Sequence, residues 1–279
     1  MEYRNHLRKG LDLLRDIYTG PFRRISQGLG LEEHLRGLNE CLEVAVTKTQ
    51  TVTIEGISAE FHVTTRPELW RLRALNNERE VLTRLFADVR PDDVFFDVGA
   101  NIGTHSCLVG QQLVDGSVVA FEPHPNNAQR LKENLSLNDV RATVFEYAIS
   151  NKNGQQPLRV DEGGIGQGKH MLSETSGGNT IEVATIRLDD LVKSGDIPQP
   201  DVIKIDVEGA ELDALRGMTG TLRQSSCRSI ICEIHSSQNE DSEHIREVTE
   251  LLESHSYDTD VIAERGTEKF VHAQRKGDT

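Results

Sequence analysis

Short apolar runs alternate with amphipathic stretches along most of the chain. The runs are rich in β-branched or aromatic side chains, which is typical of strands buried on both faces of a sheet. Strands are predicted at 94–96, 117–121, 142–145, 202–205, 228–234, 257–262 and 268–273. Between them, apolar residues recur at helical spacing, as in 126–137 and 243–254. This alternation predicts an α/β fold with a doubly wound, mostly parallel sheet.

The chain ahead of this alternation has a different pattern. Residues 1–18 and 31–42 have the spacing of amphipathic helices. Residues 51–63 alternate in part and contain Glu-Gly at their centre, which predicts a β-hairpin. We therefore predict an N-terminal helical and hairpin extension, residues 1–77, followed by one main domain, residues 78–279.

The segment Val94–His105 predicts a ligand site. It reads VFFDVGANIGTH, which indicates a buried strand, a tight glycine turn and the start of a helix, as in nucleotide-binding βα units. A dinucleotide fingerprint needs a glycine where this chain has Asn101, because the backbone must approach a pyrophosphate there. Glu122 ends the next strand, where an acid can accept hydrogen bonds from both hydroxyls of a ribose. The pattern therefore favours a nucleoside ligand without a pyrophosphate.

Four segments in order strengthen this interpretation: DVGANIGT at Asp97, AFEP at Glu122, IKIDVEGAE at Asp206 and CEIH at His235. Together they resemble the FkbM-type methyltransferases that use S-adenosyl-L-methionine. The resemblance covers roughly residues 78–235. It implies the seven-stranded sheet of class I methyltransferases, closed by an antiparallel pair of strands at the C-terminal end.

The resemblance also implies a reaction, which is O-methylation of a sugar, glycan or small-molecule hydroxyl. Residues expected to bind the cofactor are Asp97, Gly99, Asn101, Gly103, Glu122 and Ala148. Three alternatives stay open, namely N-methylation, a non-catalytic S-adenosylmethionine-binding module, and a nicotinamide-dependent oxidoreductase. The acid-base groups at the later strand ends argue against the non-catalytic module.

Side-chain alternation in two strands suggests the base that an alcohol acceptor would need. If the strands ending at Asp206 and His235 pair in equal register, Lys204 faces Glu233 and Asp206 faces His235. We predict His235 as general base with Asp206 as its orienting partner, and Glu208 as the acceptor of a substrate hydroxyl. His105 and His124 are alternative bases.

The segment 161–180 contains six glycines without the strand-to-helix context of a phosphate loop. It separates two strands predicted at 156–160 and 181–186. A mobile surface loop is one interpretation and a substrate lid is the other.

The composition of the chain limits the kinds of binding partner that we expect. The chain has 45 acidic and 31 basic residues and a formal net charge of −14, which disfavours nucleic acid or an anionic membrane as a partner. The four cysteines form no C-x-x-C pair, and the chain has no apolar stretch of membrane-spanning length. We expect a cytoplasmic protein with no membrane span. Two carboxylates near one strand end are too few ligands to predict a metal. The sequence does not indicate an oligomeric state.

Overall fold

A computed structural model describes residues 31–160, 164–167, 170–172, 179–235 and 241–277. The helix predicted at 1–18 lies outside these residues. The described helices are α1 (Glu32–Val46), α2 (Arg66–Ala74), α3 (Arg79–Asp88), α4 (Thr104–Gly110), α5 (Pro125–Leu137), α6 (Leu188–Ser194), α7 (Glu211–Arg216), α8 (Thr219–Leu222) and α9 (Asp241–Ser254), with a 3-10 turn at Leu75–Glu78. The described strands are β1 (Thr49–Ile54), β2 (Ile57–His62), β3 (Val94–Val98), β4 (Ser117–Phe121), β5 (Ala142–Phe145), β6 (Tyr147–Ile149), β7 (Gly154–Arg159), β8 (Met171–Leu172), β9 (Thr180–Ile186), β10 (Val202–Asp206), β11 (Ser229–His235), β12 (Tyr257–Arg265) and β13 (Glu268–Arg275).

The main sheet confirms the predicted fold class. It has seven strands in the order β12-β13-β11-β10-β3-β4-β5. Strands β11, β10, β3, β4 and β5 run parallel, and β13 and β12 close the sheet with antiparallel pairing. The strand order reverses beside β3, so the carboxyl ends of β3, β4 and β10 border the crevice where α/β sheets bind ligands.

A smaller sheet begins directly after β5 in the chain. Its order is β6-β9-β7-β8, and the antiparallel pairing of β7 with β9 confirms the strand pair predicted at 156–160 and 181–186. Ala148, on β6, and Leu158, on β7, form a small apolar cluster with Val183 of β9. Ile149 of β6 packs in the same apolar cluster as Val98 and Phe121, the last residues of β3 and β4, which places β6 beside the carboxyl ends of these strands.

The predicted hairpin is present as β1 and β2. Glu55 and Gly56 have φ values of 49° and 83°, as a two-residue turn with both central residues at positive φ requires. Ile54 and Phe61 are fully buried, in the same apolar cluster as the side chains of α3, α4 and α5. The hairpin and the helix α2 after it therefore pack on the main sheet and share its core.

The helix predicted at 212–222 is two helices, so that prediction was wrong. Helix α7 ends just before Gly217, which packs so closely on another segment that an added Cβ would be 2.0 Å from the carbonyl oxygen of Ser150, and the next residue, Met218, leaves the helical conformation with a φ of −125°. The side chain of Asp189 then accepts hydrogen bonds from the backbone N–H groups of Gly220 and Thr221, both at 2.8 Å. These contacts start the separate helix α8.

No helix in the described part of the chain is both long enough and apolar enough to cross a membrane.

Candidate active site

The glycine turn after β3 brings two strand ends together. Gly99 has a φ of 83°, and a Cβ added there would lie 1.9 Å from the carbonyl oxygen of Asp206 at the end of β10. Asn101 also adopts a positive φ, 51°, a conformation that asparagine tolerates better than most residues. Its side chain donates a hydrogen bond to the carbonyl oxygen of Gln167 at 2.9 Å. The turn therefore contacts both β10 and the described part of the predicted lid.

Gly103 is placed by packing. Its φ is 84°, and a Cβ there would lie 2.5 Å from Cδ1 of Leu131 on α5. It precedes α4 and does not line the cavity described below, whereas Gly99 and Asn101 do. The predicted cofactor glycines thus have different local functions, one at the cavity wall and one at a helix contact.

Glu122 lies at the end of β4, where the sequence placed it. Its two carboxylate oxygens accept hydrogen bonds from the backbone N–H groups of Asn101, at 2.8 Å, and His124, at 2.9 Å. Burial raises the pKa of Glu122 to about 7, although these two hydrogen bonds oppose the rise. The carboxylate is therefore fixed in position and lines the cavity.

A cavity lies at the carboxyl ends of β3, β4 and β10. Ligands bind at this place in open α/β sheets. The lining residues come from the glycine turn, the strand ends, α2 and the small sheet, and they are Arg71, Gly99, Asn101, Phe121, Glu122, Pro123, Tyr147, Ala148, Ile149, Leu158, His170, Leu172, Asp206, Val207, Glu208 and Ala210. The cavity combines an apolar wall with three carboxylates.

Asp97 lies behind this wall. It is fully buried, accepts a hydrogen bond from Oγ of Ser106 at 2.6 Å and lies 4.0 Å from Nζ of Lys204. Its Oδ1 atom has no hydrogen-bond partner. Asp97 was predicted to bind the cofactor; it does not line the cavity, its Oδ1 atom is the one that faces Lys204, and the cofactor role stays a prediction.

The predicted register of β10 and β11 was wrong by two residues. Asp206 pairs with Glu233 and Lys204 pairs with Ile231, so Asp206 does not face His235. A shift by two residues keeps every side chain on the same face, so the hydrophobic pattern of two buried strands cannot distinguish the two registers. Lys204 instead forms its ion pair with Asp206, at 2.9 Å.

The partner of His235 also differs from the prediction. Its Nδ1 atom is hydrogen bonded to Oε1 of Glu211 at 2.9 Å, whereas its Nε2 atom lies 3.8 Å from Asp206 and 3.7 Å from Glu208. Glu211 is fully buried and also contacts Nε2 of His244 at 2.9 Å. Glu211, and not Asp206, is therefore the residue that orients His235. It lies at the start of α7, directly after the loop that carries Glu208.

The proton state of His235 follows from these neighbours. Burial lowers the pKa of His235, but the hydrogen bond to Glu211 and the charges of Asp206 and Glu208 outweigh burial and raise that pKa to about 10. Burial raises the pKa of Glu208 to about 7, against the opposing charge of His235. At neutral pH the imidazole is therefore protonated, whereas the pKa of Glu208, like that of Glu122, lies near neutrality.

Glu233 is held by a basic residue that the sequence analysis did not identify. Nη2 of Arg265 lies 2.9 Å from Oε1 of Glu233, and Nη1 of the same arginine lies 2.7 Å from Glu78. Arg265 comes from β12, two strands away from β11, so no local pattern in the sequence connects it with Glu233. Burial raises the pKa of Glu233 to about 8.

The two alternative histidines do not line the cavity. His105 is buried on α4, with Nε2 3.5 Å from Glu78. His124 accepts a hydrogen bond from the backbone N–H of Asn127 at the start of α5, and its ring stacks on that of His170 with centroids 4.6 Å apart. Both have structural partners that account for their positions.

One group among the described residues has the composition of a metal site. Ligand atoms of Asp206, Glu233 and His235 lie within 4.8 Å of one another. Asp206 and Glu233 are each paired with a basic side chain, Lys204 and Arg265, at 2.9 Å. Fixed cations therefore already neutralise two of the three candidate ligands.

Comparisons with known proteins agree with this geometry. Residues 97–259 match the model of the methyltransferase FkbM domain. A hexuronic acid methyltransferase, AglP of Haloferax volcanii, is 35% identical over 84% of this chain and 92% of its own length. The 2-O-methyltransferase NoeI of Sinorhizobium fredii is 35% identical over 49% of this chain and 61% of its own length. The 31-O-demethyl-FK506 methyltransferase FkbM of Streptomyces tacrolimicus is 27% identical over 71% of this chain and 88% of its own length.

Proposed function

Because this chain belongs to the FkbM family of methyltransferases, we propose that it transfers the methyl group of S-adenosylmethionine to a hydroxyl of a sugar or glycan. The observation that carries the proposal is the cavity at the ends of β3, β4 and β10, which is lined both by Glu122, the proposed ribose ligand, and by Glu208, whose pKa is about 7. AglP is named for a hexuronic acid, which supports a sugar-type acceptor, and NoeI is named as a 2-O-methyltransferase, which supports an oxygen acceptor.

The residues present fit S-adenosylmethionine. Glu122 is positioned to accept hydrogen bonds from ribose hydroxyls, and Ala148 and Leu158 offer an apolar surface for the adenine. The turn with Gly99 and Asn101, supported from behind by Asp97, leaves room for the amino-acid end. The acidic lining favours a ligand that carries a sulfonium and an ammonium group. When bound, this cofactor supplies a methyl group on a good leaving group.

The remaining work of the protein is to align the acceptor, exclude water and take up the hydroxyl proton. We propose that Glu208 takes that proton, since it lines the cavity and its pKa of about 7 suits proton transfer near neutrality. His235, which the sequence suggested as the base, is protonated at this pH and lies 3.7 Å from Glu208. In the proposed site it holds Glu208 in place and balances its charge, while Asp206 and Lys204 anchor the strand end.

The segment 161–180 remains a proposed lid. Its described part contacts the site, because Gly166 N donates to Asn127 Oδ1 at 3.0 Å and Gln167 O accepts from Asn101. Ordering of a glycine-rich segment over the acceptor would exclude water from the transfer.

The test is direct assay of methyl transfer. The full-length protein is incubated with S-adenosylmethionine carrying a ¹³C-labelled methyl group and with a panel of glycosides, and products are analysed by mass spectrometry and NMR. A mass gain of one CH₂ unit with the label on an ether oxygen supports the proposal. Label on nitrogen would identify an N-methyltransferase. Cofactor binding without transfer to any compound in the panel or to a cell extract would favour a binding module.

A further inference from the structure

One cationic side chain in the cavity has no role in the proposed chemistry. Arg71 is the only lysine or arginine among the described residues that line the cavity, whereas Glu122, Asp206 and Glu208 are acidic. The three carboxylates would repel an anionic part of a ligand everywhere except near this guanidinium. Arg71 therefore determines where a negative group can lie in the cavity.

The backbone that carries Arg71 is held rigidly. Leu69 and Leu72, on either side of it in α2, are buried in the core. At the start of the helix, Thr65 and Glu68 form a capping box, and the buried Glu68 is paired with Arg130 at 2.9 Å. A rigid helix holds the guanidinium in place before a ligand arrives, which lowers the entropic cost of binding.

The guanidinium itself is oriented by one hydrogen bond. Its Nε atom donates to the carbonyl oxygen of Gly166 at 3.2 Å. Within the described part of the chain its two Nη atoms have no hydrogen-bond partner, and no carboxylate oxygen lies within ion-pair distance of them. The edge formed by the two Nη atoms therefore remains available for the bidentate contact that arginine makes with a carboxylate.

The charge of Arg71 influences the pKa values of all three carboxyl groups that line the cavity. Its charge contributes to lowering the pKa of Glu122, Asp206 and Glu208 alike, although burial is the largest influence on each. Arg71, Glu122 and Glu208 line the same cavity, so one bound complex can contact the guanidinium, the proposed ribose site and the proposed base. A ligand carboxylate held there would lie beside the reacting hydroxyl.

Two parts of a bound complex could supply a carboxylate, the acceptor and the amino-acid end of the methyl donor. Arg71 precedes the region 97–259 that matches the family domain. A group that selects the acceptor can lie outside the residues that match the family domain, as Arg71 does. AglP, which is 35% identical over 84% of this chain, is named for a hexuronic acid.

We propose that Arg71 binds the carboxylate of the acceptor and makes this protein selective for uronic-acid sugars. The inference rests on the proposed function, because it assigns the acceptor class of the same site. Gly166 orients the guanidinium, so the loop that carries it and α2 together form the carboxylate site. The methylated hydroxyl is then one that lies within reach of Glu208 when the carboxylate is bound.

The experiment compares two acceptors that differ only in the carboxylate, a methyl glucuronoside and the corresponding methyl glucoside, with wild type, Arg71→Gln and Arg71→Lys. Arg73→Gln is the matched control, since Arg73 lies on the same helix but pairs with Glu43 at the surface at 2.7 Å. We expect Arg71→Gln to lower kcat/KM for the glucuronoside by about 10- to 100-fold, as loss of a charge-assisted pair predicts. The value for the glucoside should stay within about twofold. The kcat/KM of Arg71→Lys for the glucuronoside should lie between those of wild type and Arg71→Gln. Lysine keeps the positive charge but cannot make the bidentate contact of a guanidinium.

Affinity for S-adenosylhomocysteine, measured by calorimetry, separates the two sources of carboxylate. Unchanged affinity in Arg71→Gln supports the acceptor assignment, whereas a loss equal to that in kcat/KM would mean that Arg71 binds the donor, and would overturn the proposal. Equal losses for both sugars would also overturn it.

A binding measurement keeps the inference separate from the proposed function. If wild type methylates neither glycoside, the proposed sugar acceptor fails, and glucuronate binding to the protein saturated with S-adenosylhomocysteine is then followed by NMR. Binding to wild type and Arg73→Gln but not to Arg71→Gln would support the carboxylate site by itself. Equal binding to all three variants, or binding to none of them, would overturn it.

Discussion

The imidazole of His235 is hydrogen bonded through Nδ1 to the buried carboxylate of Glu211 at 2.9 Å, and its Nε2 atom lies 3.6 to 3.8 Å from Glu233, Glu208 and Asp206. One side of the ring is thus fixed by a short hydrogen bond, and the other faces the acids at the cavity. The charge on this ring sets the proton balance of the site, because its loss would leave three carboxylates facing one another.

This arrangement predicts a high pKa for His235 that depends on Glu211. NMR titration of the imidazole should give a value of about 10 in the wild type. In Glu211→Gln the value should move toward the ordinary 6.5, because the amide no longer carries the charge that favours the imidazolium. Glu250→Gln, at the exposed face of α9, is the control. A titration near 6.5 in the wild type would contradict the prediction.

The same pKa has a consequence for stability. The value in the folded protein, about 10, is above the ordinary value of 6.5, so protonation of His235 stabilises the fold fully below about pH 6.5. That contribution is lost as the pH rises from about 6.5 to about 10. Urea unfolding at pH 6 and pH 9 should therefore show a larger decrease in the free energy of unfolding for wild type than for His235→Gln. Equal decreases in the two proteins would show that His235 has no such shift.

The pKa of Glu208 predicts how the turnover rate depends on pH. The rate should rise with pH through an inflection near 7, because only the ionised carboxylate accepts the hydroxyl proton. Glu208→Gln should lose the inflection and lower kcat by roughly 10² to 10⁴, with affinity for S-adenosylmethionine near that of the wild type. His235→Ala should also lower kcat, and its inflection should move above pH 7, because the imidazolium charge that lowers the pKa of Glu208 is lost. Persistence of the inflection near 7 in Glu208→Gln would exclude Glu208 as the base.

The position and pKa of Glu122 predict how cofactor binding depends on this residue and on pH. Glu122→Ala should lower the affinity for S-adenosylhomocysteine by at least about tenfold, since a charge-assisted hydrogen bond contributes about 1.5–3 kcal/mol. In the wild type the affinity should increase from pH 6 to pH 8, because the carboxyl ionises with a pKa of about 7 and the charged form is the stronger acceptor. Glu146→Gln, a surface residue paired with Lys132, is the control. Unchanged affinity in a folded Glu122→Ala protein would remove Glu122 from the ribose site.

Two glycines with the same backbone conformation provide a matched test of the turn. Gly99 and Gly56 both have a φ of 83°, but an added Cβ meets the backbone of Asp206 at 1.9 Å in the first case and nothing within 4 Å in the second. Both alanine variants carry the cost of a positive φ, about 1–2 kcal/mol. Gly99→Ala should cost about 1–3 kcal/mol more, from overpacking, and it should also weaken cofactor binding. Equal losses on urea unfolding would mean that the close approach to β10 is unimportant.

Metal removal should leave the reaction intact. Lys204 and Arg265 already neutralise Asp206 and Glu233, so a divalent cation would have to compete with two fixed cations. Dialysis against EDTA followed by assay in metal-free buffer should therefore retain the rate. Loss of activity that returns on addition of Mg²⁺ or Mn²⁺ would instead identify Asp206, Glu233 and His235 as ligands.

The sequence predicted most of the fold because each strand and helix carries its own hydrophobic period. Ser117–Phe121 and Ala142–Phe145 have the bounds that the pattern predicts, and the glycine turn follows β3 as expected. The division of 212–222 into two helices depends on Ser150 and Asp189, which are distant in sequence. Local pattern contains no information on such contacts.

The site was predictable where one strand end carries the chemistry, and unpredictable where pairing between distant segments decides it. Glu122 and Gly99 belong to the first kind. The partner of His235 belongs to the second, because it depends on a two-residue shift in register that leaves the buried pattern unchanged. Arg71 carried no motif that set it apart, since only the packing of α2 brings it to the cavity.

The burial of the hairpin and α2 in the core of the main sheet ties acceptor choice to folding. Ile54, Phe61 and Leu69 are fully buried, and they support the helix that presents Arg71. Acceptor preference therefore cannot be exchanged between relatives by grafting α2 alone. A functional transplant would have to carry the hairpin, the helix and the facing surface of α5 as one block, and substitutions in these three elements should co-vary as the family diversifies.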